Sequence, residues 1–352
     1  MNKKGNKWFS LISLCFISIC TAGCGKSNLF DADQAFKIHT EAQENFLNDD
    51  YNYFFKYAVG TKELSKPNPI TLNWKDEASS YNVSISEDES FTNPLEILTN
   101  ENEIEVYNLK INTLYYWNVS YNDTISETKT FVIDSPAPRN LYIDGITNVR
   151  DLGGWNISND KLSNQGLIYR GGRMSANETA EIEITQKGID EMLNVLKIKT
   201  DLDIRNTQNN ETGGITTSPL GEQVNYISVP MKSGGDYLSL NLKVLKDVFN
   251  VFGNKDNYPI YIHCSIGTDR TGIICFLINA LLGVSEQSLY YDYLFSNFGN
   301  IGRRRMPSTI EDYIGVINAA NGSSFAEKTY NYLISNGVES KDLDTIIEMM
   351  SN

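Results

Sequence analysis

Between residues 67 and 133 apolar and polar positions alternate. The runs "ITLNW" (70–74), "YNVSISE" (81–87), "NEIEVYNL" (102–109), "LYYWNVSY" (114–121) and "TKTFVI" (128–133) are separated by Asn, Asp, Pro and Ser. A period of two with turn residues between runs predicts the short strands of a small all-β sandwich. The two prolines of "DSPAPRN" (134–140) cannot join a central strand, so this stretch reads as a linker. After it the period is mixed. Ile189, Met192, Leu193 and Leu196 follow helical spacing, as do Leu242, Leu245, Phe249 and Phe252, while "TDLDI", "VNYISV" and "IYIHC" are short apolar-rich strands. Strands separated by helices predict an α/β domain, with a central, mostly parallel sheet flanked by helices. Ligands bind such sheets at the carboxyl ends of the strands, which is where Cys264 falls.

The stretch ahead of the sandwich is polar and acidic with scattered aromatics, and reads as a solvated lead-in, helical around 33–47. Lys3, Lys4 and Lys7 precede an apolar run over 8–20, too short to span a membrane and right for a secretory leader. It ends in "TAGC" (21–24), which resembles a bacterial lipobox, although Thr21 stands where that pattern usually has leucine. The resemblance implies cleavage before Cys24, lipidation of Cys24, and a protein anchored outside the cytoplasm on a bacterial cell membrane. The expected organisation is a leader over 1–23, a lead-in over 24–65, a sandwich over 66–134, a linker over 135–140 and an α/β domain over 141–352.

With 44 Asp and Glu against 30 Lys and Arg, the chain carries a formal charge of −14, which argues against nucleic acid as a partner. If the leader is removed and Cys24 lipidated, only the thiols of Cys264 and Cys275 remain, too few for a disulfide framework. Two histidines cannot build a usual His-rich metal centre, so neither a metal nor another cofactor is expected.

The chemistry gathers in "YIHCSIGTDRTG" (261–272), a strand end, a glycine-containing turn and the start of the apolar helix "TGIICFLINALL". Backbone N–H groups opening a helix have no partner inside it, and the helix dipole favours negative charge there, so the loop over 264–270 reads as an anion cradle. The same surroundings lower the pKa of Cys264 towards the thiolate. Arg270 can grip two phosphate oxygens with its planar fork, and Gly267 is expected to turn the amides inward and leave room for the oxyanion.

At His263, Cys264, Gly267, Arg270, Thr271 and Gly272 the sequence matches the signature of the protein tyrosine phosphatase superfamily. "NVRDLGG" (148–154), "GLIYRGGRMS", "TDLDIRNTQNNE" and "YYDYLFSN" stand in the order seen in its atypical bacterial branch, some of whose members resemble phosphoinositide phosphatases. The resemblance implies a cysteine-phosphatase fold, Cys264 as the nucleophile of a phosphocysteine intermediate, Arg270 as phosphate ligand, and a Thr271 hydroxyl bonded to the thiolate. His263 would orient the loop from behind. Ser265, Ile266, Gly267, Thr268, Asp269 and Arg270 would line the phosphate. Trp74, Leu109 and Tyr115 make the sandwich resemble a fibronectin type III module, and for Trp74 and Tyr115 the expected role is core packing.

Thr268 replaces the lysine usual in that branch, which favours phosphotyrosine over a phosphoinositide or inositol phosphate. No "WPD" tripeptide is present, so the proton donor to the leaving group is open between Asp269, which matches the loop aspartate of the atypical branch, and Asp236 in "MKSGGDY". Arg150, Asp151 and Arg170 either line the cleft or form a structural salt bridge, and Asp201, Asp203, Arg205 and Glu211 are placed as a clamp behind the cradle. "RRR" (303–305) is either a solvated face or a recruiter of anionic substrate or lipid. Cys275 reads as core and His39 as surface. The implied activity is phosphomonoester hydrolysis on a phosphorylated protein or small phosphoester, the rival readings being a rhodanese-like sulfurtransferase and a catalytically silent surface binding protein.

Overall fold

The computed structural model describes residues 32–75, 77–158, 161–175, 183–207 and 210–351. The leader and Cys24 therefore lie outside the described residues.

The alternating runs do form strands. β1 (Gln34–Phe36), β2 (Ile70–Asn73), β3 (Tyr81–Ser86), β4 (Leu95–Thr99), β5 (Glu103–Val106), β6 (Thr113–Tyr121), β7 (Thr124–Ile125) and β8 (Lys129–Ile133) make two sheets, one ordered β1-β8-β6-β3-β4 with β7 on β6, the other β2-β5. In β3 the buried apolar positions are Tyr81, Val83 and Ile85, in β6 Tyr115, Trp117 and Val119, so each strand turns one face to a common core. Tyr115 stacks on Phe131 with ring centroids 5.2 Å apart, and its Oη accepts a hydrogen bond from the Lys110 N–H at 2.8 Å, which pins the turn entering β6.

The described part of the lead-in, from Ala32, is docked rather than merely solvated. α1 (Glu41–Asn48) begins in a capping box between Thr40 and Gln43, and its Phe46 is fully buried against Tyr291, Phe295 and Phe298. Burying such a ring contributes about 1.5–3 kcal/mol. Its partners lie some 250 positions on, so no local pattern could reveal the docking. His39, expected at the surface, is buried with Nε2 2.9 Å from the Pro138 carbonyl.

Nor is 135–140 a loose tether. Arg139 is buried and donates to the carbonyls of Leu109 (3.0 Å) and Asn108 and to Asp151 Oδ2 (2.7 Å), bolting the sandwich to the α/β part. The prolines exclude a strand, as expected, but one arginine with three partners turns the connection into a joint.

The α/β part begins with β9 (Arg150–Asp151), the small hairpin β10 (Asn156–Ser158) and β11 (Lys161–Leu162), and β12 (Ile168–Gly171). β13 (Thr200–Asp203), β14 (Asn225–Ser228) and β15 (Ile260–His263) complete a sheet ordered β14-β13-β15-β12-β9, parallel except for β9. β12, β13 and β15 are buried along their whole length, as strands covered by helices on both faces should be. The helices are α2 (Gln186–Asp190), continued by a wider turn at Glu191–Val195, α3 (Tyr237–Phe252), α4 (Arg270–Leu281), α5 (Glu286–Phe295), α6 (Ser308–Asn318), α7 (Phe325–Ser335) and α8 (Ser340–Ser351). This is the expected α/β architecture, a mostly parallel sheet between helices, behind a β-rich N-terminal region. α4 is buried on every side, which is why its sequence is apolar with little periodicity.

Candidate active site

β15 ends at His263, and α4 starts seven residues later at Arg270, so the intervening loop opens between the carboxyl edge of the sheet and a helix N-terminus. Gly267 adopts φ +68°, a conformation side chains resist. A Cβ there would collide with the Gly171 backbone carbonyl. Glycine is thus required by contact with β12, and not only by room for an anion.

The back of the loop is fastened by buried side chains. Asn148 Nδ2 donates to the Ile266 carbonyl (3.1 Å) and to Thr268 Oγ1 (3.2 Å), and Arg170 Nη2 donates to the Gly267 carbonyl (2.9 Å). With their carbonyls bonded behind, these peptides are fixed from the rear. Arg170 and Arg150 both pair with Asp292, at 2.6 and 2.9 Å, and Arg150 also holds Asn148 Oδ1 at 2.6 Å. Burial alone would raise the Asp292 pKa, but the two guanidiniums outweigh it and hold the carboxylate ionised. Arg150 and Arg170 are therefore structural salt-bridge residues that carry the loop, and Asp151 belongs to Arg139. The "NVR" and "YYDYLFSN" segments meet here.

His263 stands behind the cradle with Nε2 2.9 Å from Asp201 and Nδ1 3.3 Å from the Cys264 carbonyl. Burial would depress its pKa, but Asp203 and Asp201 raise it on balance. Asp203 grips Arg205 through both carboxylate oxygens and is itself held at about 2, burial being outweighed by His263 and Arg205.

Cys264 is almost wholly buried. Burial would push its thiol up, yet the charge of Arg270 and the hydroxyl and N–H of Thr271 pull it down further, and the net shift is downward. The Thr271 Oγ1 is buried with no hydrogen-bond partner among the described residues. Cys275, one helical turn along α4, is fully buried and pushed up to about 11 by that burial, as a core thiol should be.

Sequence reasoning missed three relations. Glu211 was placed behind the loop, but its carboxylate takes both Arg270 Nη1 (2.8 Å) and Nη2, and accepts from Ser265 Oγ. Arg305, the third residue of "RRR", is buried and clasps Asp269 through Nε (2.7 Å) and Nη2 (2.8 Å), while Arg303 and Arg304 are exposed. Tyr237 Oη also reaches Asp269 at 3.5 Å. Asp236 caps α3, accepting from Leu238 and Ser239 N–H and from Ser239 Oγ (2.5 Å), and the Ser239 hydroxyl bond holds its pKa below the usual range. That leaves the Asp236 carboxylate engaged as a cap.

A sequence model described as the tyrosine phosphatase family matches residues 141–333, more than half of the chain. The protein belongs to the tyrosine phosphatase family. Within that family, a curated protein of Cupriavidus necator with the provisional name of a tyrosine-protein phosphatase is 24% identical over 185 residues, 46% of this chain. The match spans 64% of that relative's length. Two solved structures also align: the core catalytic domain of the PP-IP phosphatase SIW14 from S. cerevisiae with citrate (19% identity, TM-score 0.30, 51% of this chain and 88% of that one), and P. aeruginosa TpbA (15%, 0.29, 49% and 86%). Scores that low add nothing to the assignment of this tyrosine phosphatase family member.

Proposed function

We propose that this protein is a secreted, lipid-anchored, cysteine-dependent phosphatase that hydrolyses phosphomonoesters, phosphotyrosine before others. The observation that carries the reading is a thiol held below its ordinary pKa at the mouth of α4, beside a guanidinium, under a loop whose glycine cannot be replaced. In the mechanism, the Cys264 thiolate attacks phosphorus, the bond from phosphorus to the ester oxygen breaks, and a phosphocysteine forms while Arg270 and the loop amides follow the charge. Asp269, whose carboxylate Arg305 clasps in the substrate-free protein, has to take up a proton as the substrate binds, and gives that proton to the departing oxygen. The resulting Asp269 carboxylate then takes a proton from water as that water attacks phosphorus, releasing phosphate and the thiolate. Thr268 supports the phosphotyrosine reading. Its buried hydroxyl is spent on the Ile266 carbonyl and Asn148, so position 268 adds no cation for a polyphosphorylated head group. The lipobox supports anchoring at Cys24, and the strand order with the Tyr115–Lys110 bond supports a fibronectin type III-like spacer.

A panel of phosphotyrosyl, phosphoseryl and phosphoinositide compounds, assayed in EDTA, tests the reading. Turnover of the phosphotyrosyl compound at least about tenfold above the others is expected, whereas dependence on added divalent metal, or no turnover at all, would refute it. The proton donor is tested by comparing aryl phosphates with good and poor leaving groups. Asp269→Asn is expected to slow the poor ones about a hundredfold and spare the good ones, while Asp236→Asn leaves both unchanged. The reverse pattern would transfer the role to Asp236.

A further inference from the structure

We propose that Arg173 is a second guanidinium ligand for the oxyanion bound over Cys264, acting beside Arg270. Arg173 leaves the end of β12, where Gly171 stands in parallel register with His263 of β15. The two strand ends run side by side, so Arg173 departs next to the point where the cysteine loop begins. Its backbone N–H donates to the Ser265 carbonyl at 3.3 Å, tying it directly to that loop.

The side chain is the anomaly. Arg173 is 5% exposed, and its buried Nε has no hydrogen-bond partner. Among the described residues every other buried arginine has a carboxylate: Asp151 for Arg139, Asp292 for Arg150 and Arg170, Asp203 for Arg205, Glu211 for Arg270 and Asp269 for Arg305. Arg173 has none. Burying an unpaired charge is costly, and among the described residues six buried guanidiniums have a carboxylate while the seventh, beside the cysteine loop, has none, which points to something that binds.

Charge identifies what binds. Arg173 senses the Cys264 sulfur and Glu211, both of which favour its charged form, against burial and the like charge of Arg205, which together lower its pKa. The charge of Arg270 is already matched by Glu211. When Cys264 is a thiolate and a dianion arrives above it, the buried guanidinium nearby with no carboxylate paired to it among the described residues is Arg173. A tetrahedral oxyanion offers a planar fork two oxygens, and would restore what burial and Arg205 remove. The anion is the phosphoryl group only on the phosphatase reading; the role of Arg173 as an oxyanion ligand stands apart from it.

The test uses the full chain and inorganic phosphate or vanadate as the probe, read as protection of Cys264 from iodoacetamide. In Arg173→Met the anion concentration giving half protection is expected to rise about tenfold or more, with Arg173→Lys intermediate because it keeps charge but loses the fork. The kcat/KM for an aryl phosphate should fall by at least the same factor. Should Arg173→Met fail to fold, Arg173→Gln and Arg173→Lys carry the comparison. Unchanged half protection in folded variants, with only the melting temperature moved, would overturn the proposal. The two readings fail separately: wild-type protein that binds phosphate over Cys264 but hydrolyses nothing defeats the phosphatase reading alone, and brisk turnover with unaltered anion affinity in Arg173→Met defeats only the ligand role.

Discussion

Cys264→Ser is expected to lower turnover of any phosphomonoester by about ten-thousandfold or more, with the fold intact. A serine hydroxyl at this position stays protonated near neutral pH, whereas the thiol it replaces is drawn towards the thiolate by Arg270 and Thr271 in spite of its burial. Because the folded-state pKa of Cys264 is depressed, the thiolate persists at pH values where an ordinary cysteine is neutral, and is lost only as pH falls through that lowered value. The rate of iodoacetamide alkylation at Cys264, measured against pH, should therefore rise on the acid side of the usual thiol range. Cys275, pushed up to about 11 and fully buried, is the internal control and should stay unlabelled. A profile with its rise in the ordinary thiol range would contradict the electrostatic account of the loop.

Arg270→Met should cost about a thousandfold in kcat/KM, the loss expected when a charged donor aimed at the transition state is removed from a closed site. It should also move the alkylation profile to higher pH. Arg270 is the strongest of the influences that lower the Cys264 pKa, so without it burial gains ground and the thiol reprotonates more readily. The variant removes the guanidinium from Glu211, whose carboxylate stays bonded to Ser265 Oγ and the Asn206 N–H, and leaves its negative charge unmatched by Arg270 next to the cradle, which also weakens inhibition by phosphate. Arg270→Lys keeps the charge but not the fork, and should recover the pH profile more fully than kcat/KM. Equal recovery of both would mean that Arg270 acts through charge alone.

The loop over 264–272 was legible because its chemistry is local: strand, glycine turn, cysteine and arginine follow one another, and their geometry comes from a few adjacent dihedrals. The alternating runs of the β-rich region and the helix at Leu242, Leu245, Phe249 and Phe252 were legible for the same reason. What stayed hidden depends on distant contacts. Glu211 meets Arg270 across 59 positions and Arg305 meets Asp269 across 36, and a carboxylate or guanidinium looks alike in sequence whether it faces water or a partner. Phe46 is one of the scattered aromatics of the lead-in, and only its packing on Phe295 and Phe298 makes it core. β9 and β12 escaped because their residues, two arginines and an aspartate among them, are buried in ion pairs and leave no apolar period to count. The ordered motifs "NVRDLGG" and "YYDYLFSN" marked the places, but only the shared Asp292 explains them.

The most direct test is to denature the enzyme rapidly at near-neutral pH while it turns over an aryl phosphate, digest it, and weigh the peptides. A phosphoryl group on the peptide carrying Cys264, absent when substrate is omitted, is the predicted result. Continued turnover with that peptide unmodified, or with the phosphoryl group on another residue, would contradict the account.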